Sequence, residues 1–567
     1  MRHPAFTIAC LIIGILSCFA VPRAAAQITV TSATPNSAAQ GTVNLDVIVK
    51  GNGFKKGAKA QWFVSGTTNP GGVTVNSTAF NNSGQVTANI TVAADAVISG
   101  YDIQVMNTDG RTGKGTELFA VNANGNSKAS CSAPAPIYPV PNACLSTVSA
   151  TGCLDGGFGT NGTVVAGAGN SSEPVAIRQQ TDGKLVVIGQ FNGSTAQSIE
   201  IIRYNSDGSL DSTFGTNGIL EDFTFAGGTC CYGTFDGALD QNGNIVVLGQ
   251  SPNGNFVRKY SSSGVPDAAF NANSANVFAS GMSSKTLRLQ PDGKLLISGG
   301  YHPSKSTFEA FVMRLNSDGT PDAGFGSGGL AVTTILQDSQ AVAVQTVNSL
   351  PYILVAGAIS TNSFALVRLT PSGIVDTTFG SKGLASTTYC ASSKIYNLAT
   401  DNTGNILAAG LVQLTVNGVQ KIELARYTSV GVLDTTFGDP SNSSNGRTGL
   451  TVLDTFGYTN QPTSLMPVFD SSGALLHILM AGNGSELSGS AVNKYLFLAR
   501  YNADGSLDPL YGMGGVSAVN FGNNNNYVMQ LPADNLVIQS NGEYSITSGA
   551  TTVSGGSYYF AVARYWP

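Results

Sequence analysis

Residues 28 to 123 alternate apolar and polar side chains in short runs, such as Val43-Asn44-Leu45-Asp46-Val47-Ile48-Val49 and Val86-Thr87-Ala88-Asn89-Ile90-Thr91-Val92. Gly, Asn and Pro separate the runs. In an extended chain, alternation with period two places every second side chain on one face. The pattern therefore predicts half-buried strands, and about seven of them would suit a two-sheet sandwich. From Asn124 to Cys153 the chain changes to Pro, Ser, Ala and Asn, with Pro134, Pro136, Pro139 and Pro141 close together. That composition predicts a semi-extended linker.

Residues 154 to 567 repeat themselves. An Asp followed three positions later by an aromatic recurs at Asp155/Phe158, Asp211/Phe214, Asp267/Phe270, Asp322/Phe325, Asp376/Phe379, Asp434/Phe437 and Asp508/Tyr511. Eight residues before each Asp except the first stands a cation: Arg203, Lys259, Arg314, Arg368, Arg426 and Arg500. Gly follows each cation by five residues, at Gly208, Gly264, Gly319, Gly373, Gly431 and Gly505. Most units also carry a hairpin signal, as in Asp182-Gly183, Asn242-Gly243 and Asp292-Gly293. Such pairs accept the positive φ angles of a two-residue turn, so the flanking runs should pair antiparallel. The fourth unit has Leu350-Pro351 at this place and must turn differently.

Three or four strands in about 56 residues suit the blade of a propeller better than a solenoid repeat. The chain enters the array at Leu154-Asp155, part-way through a unit, and leaves it at Arg564-Tyr565, just before the equivalent point. Together the two pieces complete a seventh unit, which a closed ring requires. The expected fold is all-β: a seven-bladed β-propeller over 154–567, preceded by an immunoglobulin-like sandwich over 28–123 and the 124–153 linker.

Leu-Asp-Ser-Thr-Phe-Gly at 210–215, Gln290-Pro291-Asp292-Gly293-Lys294 and Ala425-Arg426-Tyr427 resemble the delta-60 repeat family of bacterial secreted and surface proteins. The resemblance implies a propeller and export, and implies little about activity. The segment Val49-Lys50-Gly51-Asn52-Gly53-Phe54, with Thr34-Pro35-Asn36-Ser37 before it and Tyr101-Asp102-Ile103-Gln104-Val105 after it, is similar to the IPT/TIG immunoglobulin-like family. In that family the domain is usually adhesive or a spacer.

Composition agrees with many short strands and tight turns. Charged residues are 11% of the chain, against roughly 25% in average soluble proteins. The net charge is -5 with no basic run, which argues against a nucleic-acid partner. Arg2 and His3 precede an apolar run from Ala5 to Val21, and Ala24-Ala25-Ala26 offers a cleavage site, so residues 1–26 read as an export signal. A lipoprotein signal ending at Cys18 is the alternative. No other segment is apolar enough to span a bilayer. The expected place is extracytoplasmic: periplasm, cell surface or medium. After cleavage six cysteines remain, Cys131, Cys144, Cys153, Cys230, Cys231 and Cys390, and in an exported chain they favour disulfides whose pairing stays open.

Candidate chemistry is sparse. Neither a catalytic group nor a metal or cofactor site is assigned. Past the signal the chain has only His302 and His477; the second lies in an apolar strand and reads as packed. Glu221 and Asp222 would point to opposite faces of a strand. Structural ion pairs are expected for Arg203/Asp211, Arg314/Asp322, Arg368/Asp376, Arg426/Asp434, Arg500/Asp508 and Arg564/Asp155. The competing reading is a ring of cations around the channel, holding an anion. Binding is expected in loops, where a rigid scaffold displays contacts: around Cys230-Cys231, at His302, from Asp439 through Arg447 to Thr448, and from Gly484 to Lys494. A protein or glycan is the expected ligand of a non-catalytic binding or scaffold protein. A carbohydrate-active hydrolase or lyase, with carboxylates at one mouth of the channel, is the rival.

Overall fold

The computed structural model describes residues 27–567 other than 94–95, 98, 123–125, 129–144, 147–150, 168–171, 193–196, 225–232, 252, 276, 305–306, 360–362, 390–391, 414–419, 439–448, 454–458, 489–490, 521–533 and 552–557. Residues 1–26, expected to be an export signal, most of 124–153, expected to be a linker, and Cys230, Cys231, Asp439 and Arg447 lie outside the described residues. The chain divides into two compact units, with the boundary between Asn122 and Ala123.

The first unit holds two four-stranded sheets. One takes Thr29–Thr34, Leu45–Asn52, Gln85–Val92 and Val73–Asn82 in that order; the other takes Ser37–Ala39, Thr112–Asn122, Ser99–Met106 and Lys59–Val64. Strand Gln85–Val92 buries every second residue from Val86 to Val92, as its alternation requires. Val47, Val49, Val86 and Ile90 share one core with Trp62, Ile103 and Phe119. Trp62 meets Phe119 edge-on at 5.9 Å. The eighth strand, beyond the expected seven, is the three-residue Ser37–Ala39, too short to show alternation.

The second unit forms seven sheets among the described residues. Hairpins open six of them. Their first strands are Ser172–Gln179, Gly233–Leu239, Met282–Leu289, Asp338–Val347, Ser393–Thr400 and Thr459–Phe469. Each first strand lies against the first strands of the neighbouring sheets, so these strands line the inside of the ring. Every one carries a register shift near its start, at Val175, Phe235, Lys285, Gln340, Tyr396 and Thr463. An extra residue at one level bends and twists a strand. Nothing in the spacing of apolar residues announces it. In the fourth sheet the turn falls on Asn348-Ser349, both at positive φ (50° and 65°), with Val347 paired to Leu350. This is the left-handed pair of a two-residue hairpin, built without glycine.

An apolar cluster fills each gap between consecutive sheets. Ile188 and Ile201 of the first sheet meet Val247 and Tyr260 of the second. The series continues round to Val537, Phe560 and Val562 of the last sheet, packed with Ile177, Val187 and Ile202 of the first. The last sheet is composite. Leu536–Ile538, Tyr544–Thr551 and Tyr558–Tyr565 come from the end of the chain, and Thr163–Ala166 from the beginning of the array. Thr163 pairs with Ala563 and Leu154 with Tyr565. The sheets close a ring.

Candidate functional site

The recurring residues form a lock at one end of the sheets. Arg203 Nε donates to Asp211 at 2.7 Å, Arg314 to Asp322 at 2.7 Å, and Arg368, Arg426 and Arg500 to Asp376, Asp434 and Asp508 at 2.8 Å each. Arg564 Nε reaches Asp155 at 2.7 Å from the opposite end of the array. Each of the six guanidinium groups lies over the aromatic ring of its own sheet at 4.5–4.7 Å, as Arg203 does over Phe214.

The ion pair therefore sits within a unit, while the remaining guanidinium nitrogen joins units. Arg203 Nη1 donates to the Ser262 carbonyl at 2.6 Å, and Arg314, Arg368 and Arg426 reach Pro371, Ser429 and Ala503 at 2.7–2.8 Å. Arg564 donates likewise to Ser206. Each of these carbonyls lies two residues before a turn glycine of the next unit. That glycine has φ of 83–90° at Gly208, Gly264, Gly373, Gly431 and Gly505, and a Cβ there would stand 2.6–3.0 Å from the preceding unit's Phe ring. Backbone angle and close approach both exclude a side chain.

Lys259 departs from the scheme. It pairs with Asp240 at 2.8 Å, and Asp267 instead accepts the Phe270 N–H at the start of the short helix Ala268–Asn273. A single ammonium lacks the fork that lets guanidinium serve a carboxylate and a carbonyl together.

Inside the ring a second constellation joins sheets that are not neighbours. Arg178 of the first sheet contacts Asp534, next to the last sheet, at 2.7 Å and Asp236 of the second at 3.8 Å. Arg288 of the third contacts Asp236 at 2.9 Å and Asp534 at 3.5 Å. The third and last sheets stand three places apart in the ring, so these side chains bridge the central space. Asp236 also accepts the Leu287 N–H at 2.9 Å, and its side chain is 1% exposed. Burial pushes the Asp236 carboxyl up against the opposing pull of Arg288. At Asp534 burial acts the same way, but Arg178 and Arg288 outweigh it and hold the carboxyl down.

A further charged group lies where the inner strands begin. Lys285, on the third sheet's bulge, and Gln340, on the fourth's, both bond Asp338. Lys394 of the fifth sheet has its pKa lowered, by burial first and by Lys285 second, with Asp338 opposing. On the first sheet Glu173 accepts from Gln190 at 2.8 Å, and burial raises its pKa. The entrance thus carries ammonium, carboxylate and amide groups together.

His302 is half-buried and meets Phe308 edge-on at 4.9 Å. His477 stands in the strand Leu475–Ser488, where burial and then Arg500 depress its pKa; its Nδ1 is 4.0 Å from Asp508. Glu221 is exposed while Asp222 is buried and accepts from Tyr260 Oη at 2.6 Å. Cys153 is disulfide-bonded. Of the Gly484–Lys494 stretch, the strands Leu475–Ser488 and Ala491–Asn502 pair down to Ser488 and Ala491.

The central constellation escapes a reading by repeats. Arg178 and Arg288 do share a signal, since each stands five residues before a hairpin glycine, Gly183 and Gly293. Asp236 interrupts an otherwise uncharged strand. Their meeting requires the closed ring.

Glu423 shows what burial does to an acid with few donors. It is 1% exposed, accepts from Tyr389 Oη, and is pushed by desolvation up to about 8, with the Tyr389 bond acting the other way. An acid whose folded pKa is raised favours folding while both states are protonated. As pH rises above its ordinary value of 4.5, the unfolded chain ionises first and stability falls until about pH 8. Glu423→Gln removes that slope. Its stability relative to the parent, from urea unfolding, should rise by on the order of 3 kcal/mol between about pH 5 and about pH 8.

An all-β ring of sheets built from β-propeller repeats is the class these features define. The particular repeats match the family described as a β-propeller domain of unknown function, DUF5122, over residues 180–214, 290–325, 353–379, 402–437 and 478–511. The chain is similar in structure to Drosophila Plexin A in complex with Semaphorin 1b, at 11% identity over 73% of this chain and 88% of that one, with a TM-score of 0.34. It is also similar to the polysaccharide lyase Uly1, at 10% identity over 69% of this chain and 90% of that one, with a TM-score of 0.38. Comparison with curated proteins finds no match. Among the described residues no helix is long and apolar enough to cross a membrane.

Proposed function

We propose that this chain is an exported, non-catalytic binding or scaffold protein. In this reading it is a seven-bladed propeller of delta-60-type repeats, preceded by an immunoglobulin-like domain of IPT/TIG type that acts as spacer or second contact surface. A protein or glycan is held by the entrance and its loops. The observation that supports this is the use of charge in the ring. The recurring Arg and Asp side chains are bound to one another and to the next unit's backbone, and Arg178, Arg288, Asp236 and Asp534 pair with one another on the inner side of the ring. Asp236 and Asp534 converge there, each held by arginines, with side chains 1% and 21% exposed. The contact surface in this reading is the set of strand starts beside Lys285 and Asp338, 19% and 26% exposed, and Lys394.

A glycan array combined with a reducing-sugar assay on the full chain tests the reading. Retention on a restricted set of glycans without release of reducing ends is the expected result. Release that disappears when one acid is replaced would put the carbohydrate-active enzyme in its place.

A further inference from the structure

Five inter-sheet gaps have a guanidinium seated on the carbonyl two residues before the next unit's turn glycine. The gap between the second and third sheets does not. The equivalent carbonyl is that of Ser317, two residues before Gly319, and among the described residues no donor reaches it. Lys259 stands where the arginine would be. Its Nζ is held to the side by Asp240 and is 5.5 Å from the Phe270 ring centre, against 4.5–4.7 Å for the arginines over their rings.

A cavity of about 300 Å³ opens here, lined among others by Asp240, Asn242, Lys259, Phe270, Asp292 and Ser317. Its size is at the lower end of the roughly 300–1,000 Å³ found for small-molecule pockets. Asp240 and Asp292 face one Lys259, so the lining carries a formal charge of -1. Asp292 is half-exposed; its Oδ1 accepts the Lys294 N–H at 3.2 Å, while its Oδ2, 3.9 Å from Lys294 Nζ, is free to take a further donor.

We propose that this cavity binds a guanidinium group from outside the ring, of the kind an arginine side chain carries. The planar fork offers five donors, so one edge can serve the Ser317 carbonyl and another the Asp292 carboxylate. Phe270 belongs to the lining but is 1% exposed, so the cation is held by its edges and not by a stack on the ring. An ammonium ligand gains less, because its donors do not fork and a lysine already occupies the neighbouring place. The site lies beside the hairpin turns, apart from the strand starts that form the entrance, so it goes beyond the function proposed above and stands or falls separately.

Calorimetric titration of the full chain with arginine amide, lysine amide and a blocked Gly-Arg-Gly peptide tests the assignment. Arginine amide should bind at least about tenfold more tightly than lysine amide. A peptide that binds more tightly still identifies the source as a polypeptide; equal binding identifies a free guanidino compound. Lys259→Arg supplies the group from within, and should lower affinity for arginine amide by about tenfold or more while raising the melting temperature. Asp292→Asn, at a half-exposed position, should also weaken binding with the fold intact, and decides the matter if the first variant does not fold. Equal binding of the two amides, no binding, or unchanged affinity in the folded variants would overturn the proposal.

Discussion

Arg564→Ala should lower the stability of the second unit by about 3–5 kcal/mol in urea unfolding. The side chain is 9% exposed, and its removal leaves Asp155, 4% exposed, and Glu543, 7% exposed and 3.1 Å away, without their cation. The Phe158 ring loses the group over it, and the Ser206 carbonyl loses a donor. Most of the cost comes from carboxylates that stay buried unpaired. An exposed pair behaves otherwise. Lys55 and Asp109 are 51% and 34% exposed, and replacing Lys55 by Ala should leave the unfolding midpoint nearly unchanged.

Arg288→Met should have an effect of similar size, about 3–5 kcal/mol, for a different reason. Two arginines face two aspartates in the middle of the ring. Without Arg288, Asp534 keeps Arg178 at 2.7 Å, whereas Asp236 keeps only a 3.8 Å contact with the same group. Asp236 already has its pKa raised by burial. The variant should therefore recover part of its loss at low pH, where Asp236 takes up a proton. Adding Asp236→Asn to Arg288→Met should restore more than it costs, because the uncompensated charge is then gone. Urea midpoints of the single and double variants at neutral and acid pH check both statements. If Arg288→Met is neutral at every pH, the group does not brace the ring.

How far the sequence carried the reading depends on the range of each interaction. The offsets among Arg, Gly, Asp and Phe are visible because each unit repeats them, and the lock that explains them involves only adjacent units. Gly373 is such a case: its φ of 83° and its fit against Phe325 are dictated by one turn and one neighbour. Lys259 keeps the spacing of the series but not its chemistry, so spacing alone hides that it turns to Asp240. The bulges at Val175 or Lys285 depend on strand register, which composition does not encode. Arg178, Asp236, Arg288 and Asp534 are separated by tens to hundreds of residues and come together only around a closed axis. The loop candidates at Cys230, Cys231, Asp439 and Arg447 rest on sequence alone, since they lie outside the described residues.

The whole arrangement requires that polypeptide from the two extremes of the array share one sheet, and the coupling between Arg564 and Asp155 measures this directly. A double-mutant cycle with Arg564→Ala and Asp155→Asn should give a coupling of about 1.5–3 kcal/mol, similar to that of Arg368 with Asp376 inside one continuous unit. A coupling within about 0.5 kcal/mol of zero, alongside a normal value for the second pair, would mean that the ends do not meet and that the ring is open.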